Sequence, residues 1–181
     1  MRNVHTIRGT IARHLRWSIA VAALMAGMVA GSAAYAASGT VPAGTTDAFL
    51  RTKASVALPR TGGTPVILNK VTLPAGSWVL TDEVTAVNYG PSDYTRCSYF
   101  RNGVNLGGST TMVGDNTQPG SMGPGVIVAN LASALAIKST VTFTISLGCF
   151  HDTDTPVAND PGYIDPGAIL TAHKSGSLAI F

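Results

Sequence analysis

Val141-Thr142-Phe143-Thr144-Ile145-Ser146-Leu147-Gly148-Cys149 alternates apolar with small or polar residues. A two-residue period puts Val141, Phe143, Ile145, Leu147 and Cys149 on one face and their neighbours on the other. That is a strand with one side in a core. Upstream, Leu131 and Leu135 would permit a helix over Val126–Ile137, but Val126-Ile127-Val128 favours a strand, and a strand is expected there. The stretch before it, Gly114–Gly125, holds Asn116, Pro119, Gly120, Gly123 and Pro124 and reads as a long surface loop. Tyr94–Phe100 is a further strand, closed by Asn102-Gly103, a hairpin signal because both residues tolerate left-handed backbone.

The same reading extends to both ends. Val66–Leu73 and Ser77–Val87 flank Pro74-Ala75-Gly76 and are expected to pair as a hairpin, the second run broken only by Asp82-Glu83. Ala54–Leu58 is a short apolar run before the turn-rich Pro59–Pro65. Beyond Cys149, an acidic loop from His151 to Gly167 leads to Ala168–Ala172, and the chain ends on Ser177-Leu178-Ala179-Ile180-Phe181. An apolar end suggests a final strand pinned in a sheet. The fold class expected is all-β, an antiparallel two-sheet sandwich.

Residues 1–36 read as a secretory signal peptide. Arg2, Arg8, Arg13 and Arg16 precede an apolar run, Ile19–Ala30, and Ala34-Tyr35-Ala36 supplies a small-residue cleavage site. Ser18–Ala37 is also nearly long enough for an uncleaved anchor, but the short apolar core and the absence of a charged stop favour cleavage. The organisation expected is therefore a signal peptide (1–36), a flexible lead-in (37–53) rich in small and turn-forming residues, and one sandwich domain (54–181). The protein is expected to be exported, secreted or held at the cell surface, with no stable membrane insertion after cleavage.

Removing the leader changes the charge. Four of the 12 Lys and Arg lie in it, leaving eight cations against nine acids, a formal net charge of −1 on the mature part. Those eight are scattered from Arg51 to Lys174, so no basic surface able to neutralise a run of phosphates is expected, and nucleic acid is excluded as a partner. Outside the reducing cytosol the two cysteines, Cys97 and Cys149, are expected to form a disulfide rather than remain as two buried thiols. Their distant spacing lacks the paired half-sites of a zinc centre.

Val71-Thr72-Leu73-Pro74-Ala75-Gly76-Ser77-Trp78, one cysteine in each of two later strands, and a closing Leu170-Thr171-Ala172-His173-Lys174-Ser175-Gly176-Ser177-Leu178 resemble small exported bacterial proteins of unassigned function. Those carry a jelly-roll domain similar to the C1q and tumour-necrosis-factor superfamily. The resemblance spans Pro65–Phe181 and implies a sandwich whose last strand lies inside a sheet, often assembled as a homotrimer, with protein or surface binding and no chemistry. Trp78 stands where such strings more often carry Tyr, and no collagen-like stem is present.

No catalytic residue is assigned. His151 and His173 stand outside H-E-x-x-H, and no G-x-S-x-G occurs. Asp152, Asp154, Asp160 and Asp165 are weak candidates for a Ca²⁺ site, since hard cations take carboxylate oxygens, but the segment lacks the Gly and closing Glu of an EF-hand and equally suits a solvated turn. No other cofactor is expected. Among the rings, Trp78 is expected in the core, whereas Tyr89 and Tyr94 could be exposed, facing a glycan or a subunit. The function expected is non-enzymatic binding or structural support, with a protein or glycan ligand. The alternative is a carbohydrate-active or other hydrolase whose site assembles only on folding.

Overall fold

The computed structural model describes residues 37–115, 127–155 and 161–179, all within one compact unit. The leader and Asp160 lie outside them. In chain order the strands are β1 (Ala37–Thr40), β2 (Asp47–Arg51), β3 (Val56–Ala57), β4 (Val66–Leu73), β5 (Gly76–Val87), β6 (Asp93–Arg101), β7 (Val104–Val113), β8 (Val128–Ser139), β9 (Phe143–His151), β10 (Tyr163–Ile164) and β11 (Ile169–Ser175). One sheet runs β1-β4-β9-β6-β7. In the other, β11 lies between β2 and β5, β8 takes the opposite side of β5, and the short β10 and β3 continue beyond β11.

Period-two burial explains the two layers. On β5, Trp78, Leu80, Val84 and Ala86 point inward, and on β9 Phe143, Ile145, Leu147 and Cys149 do the same. These faces, with Leu68, Val71, Leu73 and Leu170, form one core. The eight long strands then read β4-β9-β6-β7 over β2-β11-β5-β8, which is jelly-roll-like. The last strand, β11, is inside a sheet and β8 is a strand, but β11 ends at Ser175: the apolar end expected as a strand is not one over 177–179, and 180–181 lie outside the described residues. Val141, however, lies before β9 and is exposed.

Two further expectations are overturned. The lead-in 37–53 contains β1 and β2, because Val41 and Leu50 bury into the core and each short strand finds an open edge, β1 parallel to β4 and β2 antiparallel to β11. The expected hairpin at Pro74 is a corner between sheets: β4 pairs with β1 and β9, β5 with β8, β10 and β11. Trp78 Nε1 donates to the Pro74 carbonyl at 3.0 Å, and Gly76 takes a φ of 145°. Long pairings on both strands outweigh the local turn signal. At Asn102-Gly103 the hairpin forms as expected, with φ of 51° and 79° in a two-residue turn between β6 and β7.

Cys97 and Cys149 are bonded, fully buried and directly opposite each other on neighbouring β6 and β9, Cα atoms 4.2 Å apart. The bridge staples two strands of one sheet rather than joining the layers.

Candidate functional site

The two ends of the sandwich differ. At one, β4 to β5, β6 to β7 and β8 to β9 turn within two or three residues. The six-residue connection 41–46 is at this end too. At the other lie 52–55, 58–65, 88–92, 152–155 and 165–168; most of the expected loop 114–125 lies outside the described residues. Irregular loops on a rigid scaffold are where recognition residues concentrate. This end also gathers His151, Asp152, Asp154, Asp165, Tyr89, Tyr94 and Tyr163.

Its buried centre is Asp93, at the start of β6. One carboxylate oxygen accepts the Tyr94 amide at 2.7 Å; the other accepts the Thr153 amide at 2.9 Å and its hydroxyl at 2.6 Å, and meets His151 Nδ1 at 3.2 Å. His151 Nε2 contacts the Pro59 carbonyl, with the Thr155 hydroxyl farther off at 3.4 Å. Two loops, those of Pro59 and of Thr153 and Thr155, therefore hang on one Asp-His pair. The order Asp93, His151, Thr155 has the outline of a nucleophile triad, but a nitrogen facing a carbonyl must donate, so it is not free to take a proton from Thr155.

Above this pair, Arg96 grips Asp152 bidentately, both contacts 2.6 Å, donates to Thr110 Oγ1 at 3.1 Å and lies 5.7 Å from the Tyr94 ring centre. The hydrogen-bonded Arg96 guanidinium holds the Asp152 carboxyl below its ordinary value. Asp154 accepts the Gly62 amide at 2.8 Å, and Gly62 is required there because a Cβ would fall 2.3 Å from the Asp152 carbonyl. Asp165 anchors through its backbone, its amide donating to the Thr85 carbonyl at 2.9 Å. Of the calcium candidates, Asp152 and Asp154 thus hold loops, and among the described residues no three His, Cys, Asp or Glu side chains gather as a metal site. His173 sits elsewhere, paired with Asp47 at 2.6 Å on the outer face of the β2-β11-β5-β8 sheet.

Trp78 is buried in the core, whereas Tyr89 and Tyr94 are 64% and 41% exposed. Desolvation, then a hydrogen bond with Tyr89, raises the Tyr163 phenol above its ordinary value. Sequence reading missed Asp93 entirely. Its partner lies 58 residues away, and no local pattern marks it.

No protein-family model matches the chain, and no curated protein is similar to it in sequence. Among solved structures, the infectious bursal disease virus Gx strain is similar at 12% identity over 73% of this chain and 34% of that one, TM-score 0.46. The VP2 subviral particle of that virus gives 14% identity, 72% and 33% coverage and a TM-score of 0.44. CorA, a surface-associated copper-binding protein of Methylomicrobium album BG8, gives 9% identity over 77% of this chain and all of its own, TM-score 0.32. The chain spans about a third of the viral chains. Likeness this distant says nothing of ligand or activity.

Proposed function

We propose that this protein is a non-enzymatic binding module, exported and working outside the reducing cytosol, whose recognition surface is the loop end of the sandwich. The carrying observation is the division of labour there. The polar groups that could do chemistry, Asp93 and His151, are buried and hydrogen-bonded to loops, while Tyr89 and Tyr94 are held outward with Arg96 behind Tyr94. Rigid rings with a polar tip suit a protein or glycan ligand. The buried disulfide supports an oxidising compartment, and among the described residues no helix is long and apolar enough to cross a membrane. A domain of the C1q and tumour-necrosis-factor kind accords with the jelly-roll-like order.

A screen of glycans and extracellular proteins tests this reading. A ligand found should be lost on Tyr89→Ala and Tyr94→Ala and kept on Val141→Ser at the opposite end; retention by both tyrosine variants would overturn it. The second reading, a carbohydrate-active or other hydrolase, needs His151 to leave the Pro59 carbonyl before it could take a proton from Thr155. Turnover of ester or glycoside substrates that His151→Gln abolishes without lowering thermal stability would favour it. Calcium binding through Asp152 and Asp154 requires a calorimetric signal at millimolar Ca²⁺, and no heat removes it.

A further inference from the structure

His151 is the last residue of β9 and Asp93 the first of β6, and only 5% and 7% of them are exposed. The protons of this pair can be counted from its neighbours. Asp93 receives a backbone amide on each oxygen, from Tyr94 at 2.7 Å and Thr153 at 2.9 Å, and the Thr153 hydroxyl at 2.6 Å on the second. An amide N–H only donates, so both oxygens act as acceptors and Asp93 is held as the carboxylate. His151 Nδ1 faces that carboxylate at 3.2 Å, and Nε2 faces the Pro59 carbonyl. Both partners are acceptors. A neutral imidazole has one N–H and one lone pair, and either tautomer would set the lone pair against an oxygen at a buried site; the imidazolium alone donates on both sides.

The other charges around the ring are engaged elsewhere. Arg96 of β6 takes Asp152, the carboxylate next to His151 in the chain, through both contacts at 2.6 Å. On 152–155, Asp154 accepts the Gly62 amide at 2.8 Å. The charged residue of the 58–65 loop is Arg60, whose carbonyl accepts the Thr155 amide at 2.8 Å. Asp93 is thus the charge that the His151 ring meets directly.

We propose that His151 is a pH-operated latch: as the imidazolium it ties the 58–65 loop to Asp93, and on losing the Nε2 proton it lets that loop go. Nδ1–H stays with the carboxylate, the stronger acceptor. Nε2 is then a lone pair against the Pro59 carbonyl, and the Thr155 hydroxyl, 3.4 Å away, is placed to donate to it instead. The ring therefore has two arrangements, one holding Pro59 and one holding Thr155. Opening is local, because the Leu58 amide keeps the Gly162 carbonyl at 2.8 Å and the Gly63 amide keeps the His151 carbonyl at 2.7 Å. What moves is 59–62, and the Arg60 carbonyl leaves the Thr155 amide with it. Acid closes the latch and rising pH opens it, since the second ring proton is bound in the closed form alone. It works whether or not Tyr89 and Tyr94 meet a ligand.

Nitrogen NMR of the His151 ring and amide exchange test it, from about pH 5 to about pH 9, with a chelator present so that Arg96 alone holds Asp152. The ring is assigned through the His151 backbone, so the first measurement needs no variant. Both ring nitrogens are expected to carry protons at the acid end and Nδ1 alone at the alkaline end. After correction for the intrinsic rise of exchange with pH, protection of the Gly62 and Thr155 amides should fall about tenfold across the range in the wild type and stay level in His151→Gln. A ring with the same proton count at both ends, loss of the Nδ1 proton first, protection indifferent to pH, or the same fall in His151→Gln overturns the proposal.

Discussion

Asp82 shares the parity of Trp78, Leu80, Val84 and Ala86, so β5 turns it into the core, where only 5% of it is exposed. Ser133 Oγ donates to one carboxylate oxygen; the other is buried without a hydrogen-bond partner. Burial pushes this carboxyl above its ordinary value of 3.8, against the lowering hydrogen bond from Ser133. A raised value in the folded state means that Asp82 favours folding in acid and costs stability as pH rises above about 3.8. Asp82→Asn is therefore expected to raise the melting temperature at neutral pH and flatten its decline from pH 4 upward; identical profiles for both proteins would refute the assignment. Asp152 has the opposite sign. Its lowered carboxyl supports folding above the ordinary carboxylate range and loses that support as pH falls, modestly, because the Arg96 pair is about one-third exposed. The cysteines act mainly on the unfolded chain. Closing a loop across a separation of 52 residues is worth about 4 kcal/mol, so Cys97→Ser or Cys149→Ser should lower the melting temperature by roughly 10 °C in oxidising buffer. A thiol titration giving two free thiols in the native protein would contradict the bridge.

At the scale of elements, local pattern and tertiary outcome separate. Strand β9 was legible because one face of its run is apolar throughout, and the β6–β7 hairpin because Asn-Gly permits the positive φ its turn needs. The corner at Pro74 has the same local chemistry as a hairpin. It differs only in partners for β4 and β5 that come from distant parts of the chain. The loop end is similar: Pro59, Asp93, His151 and Thr153 meet across separations no spacing rule reaches. Removing their hub should loosen the loops before the sheets. Asp93→Ala is expected to speed amide hydrogen exchange in 59–63 and 152–155, with little change in β5 or β9. Uniform acceleration across the fold would show that Asp93 holds the whole sandwich instead.

At the scale of the molecule, composition and period-two patterning determined an all-β sandwich, the parity of its faces and the cysteine pair, since each depends on neighbours in sequence and on the chemistry of burial. The strand order, the sheet corner, the strands hidden in 37–53 and the Asp93–His151 hub were decided only by tertiary structure. Each depends on which distant backbone edges meet, and a strand's sequence states which face it buries but not which strand lies beside it.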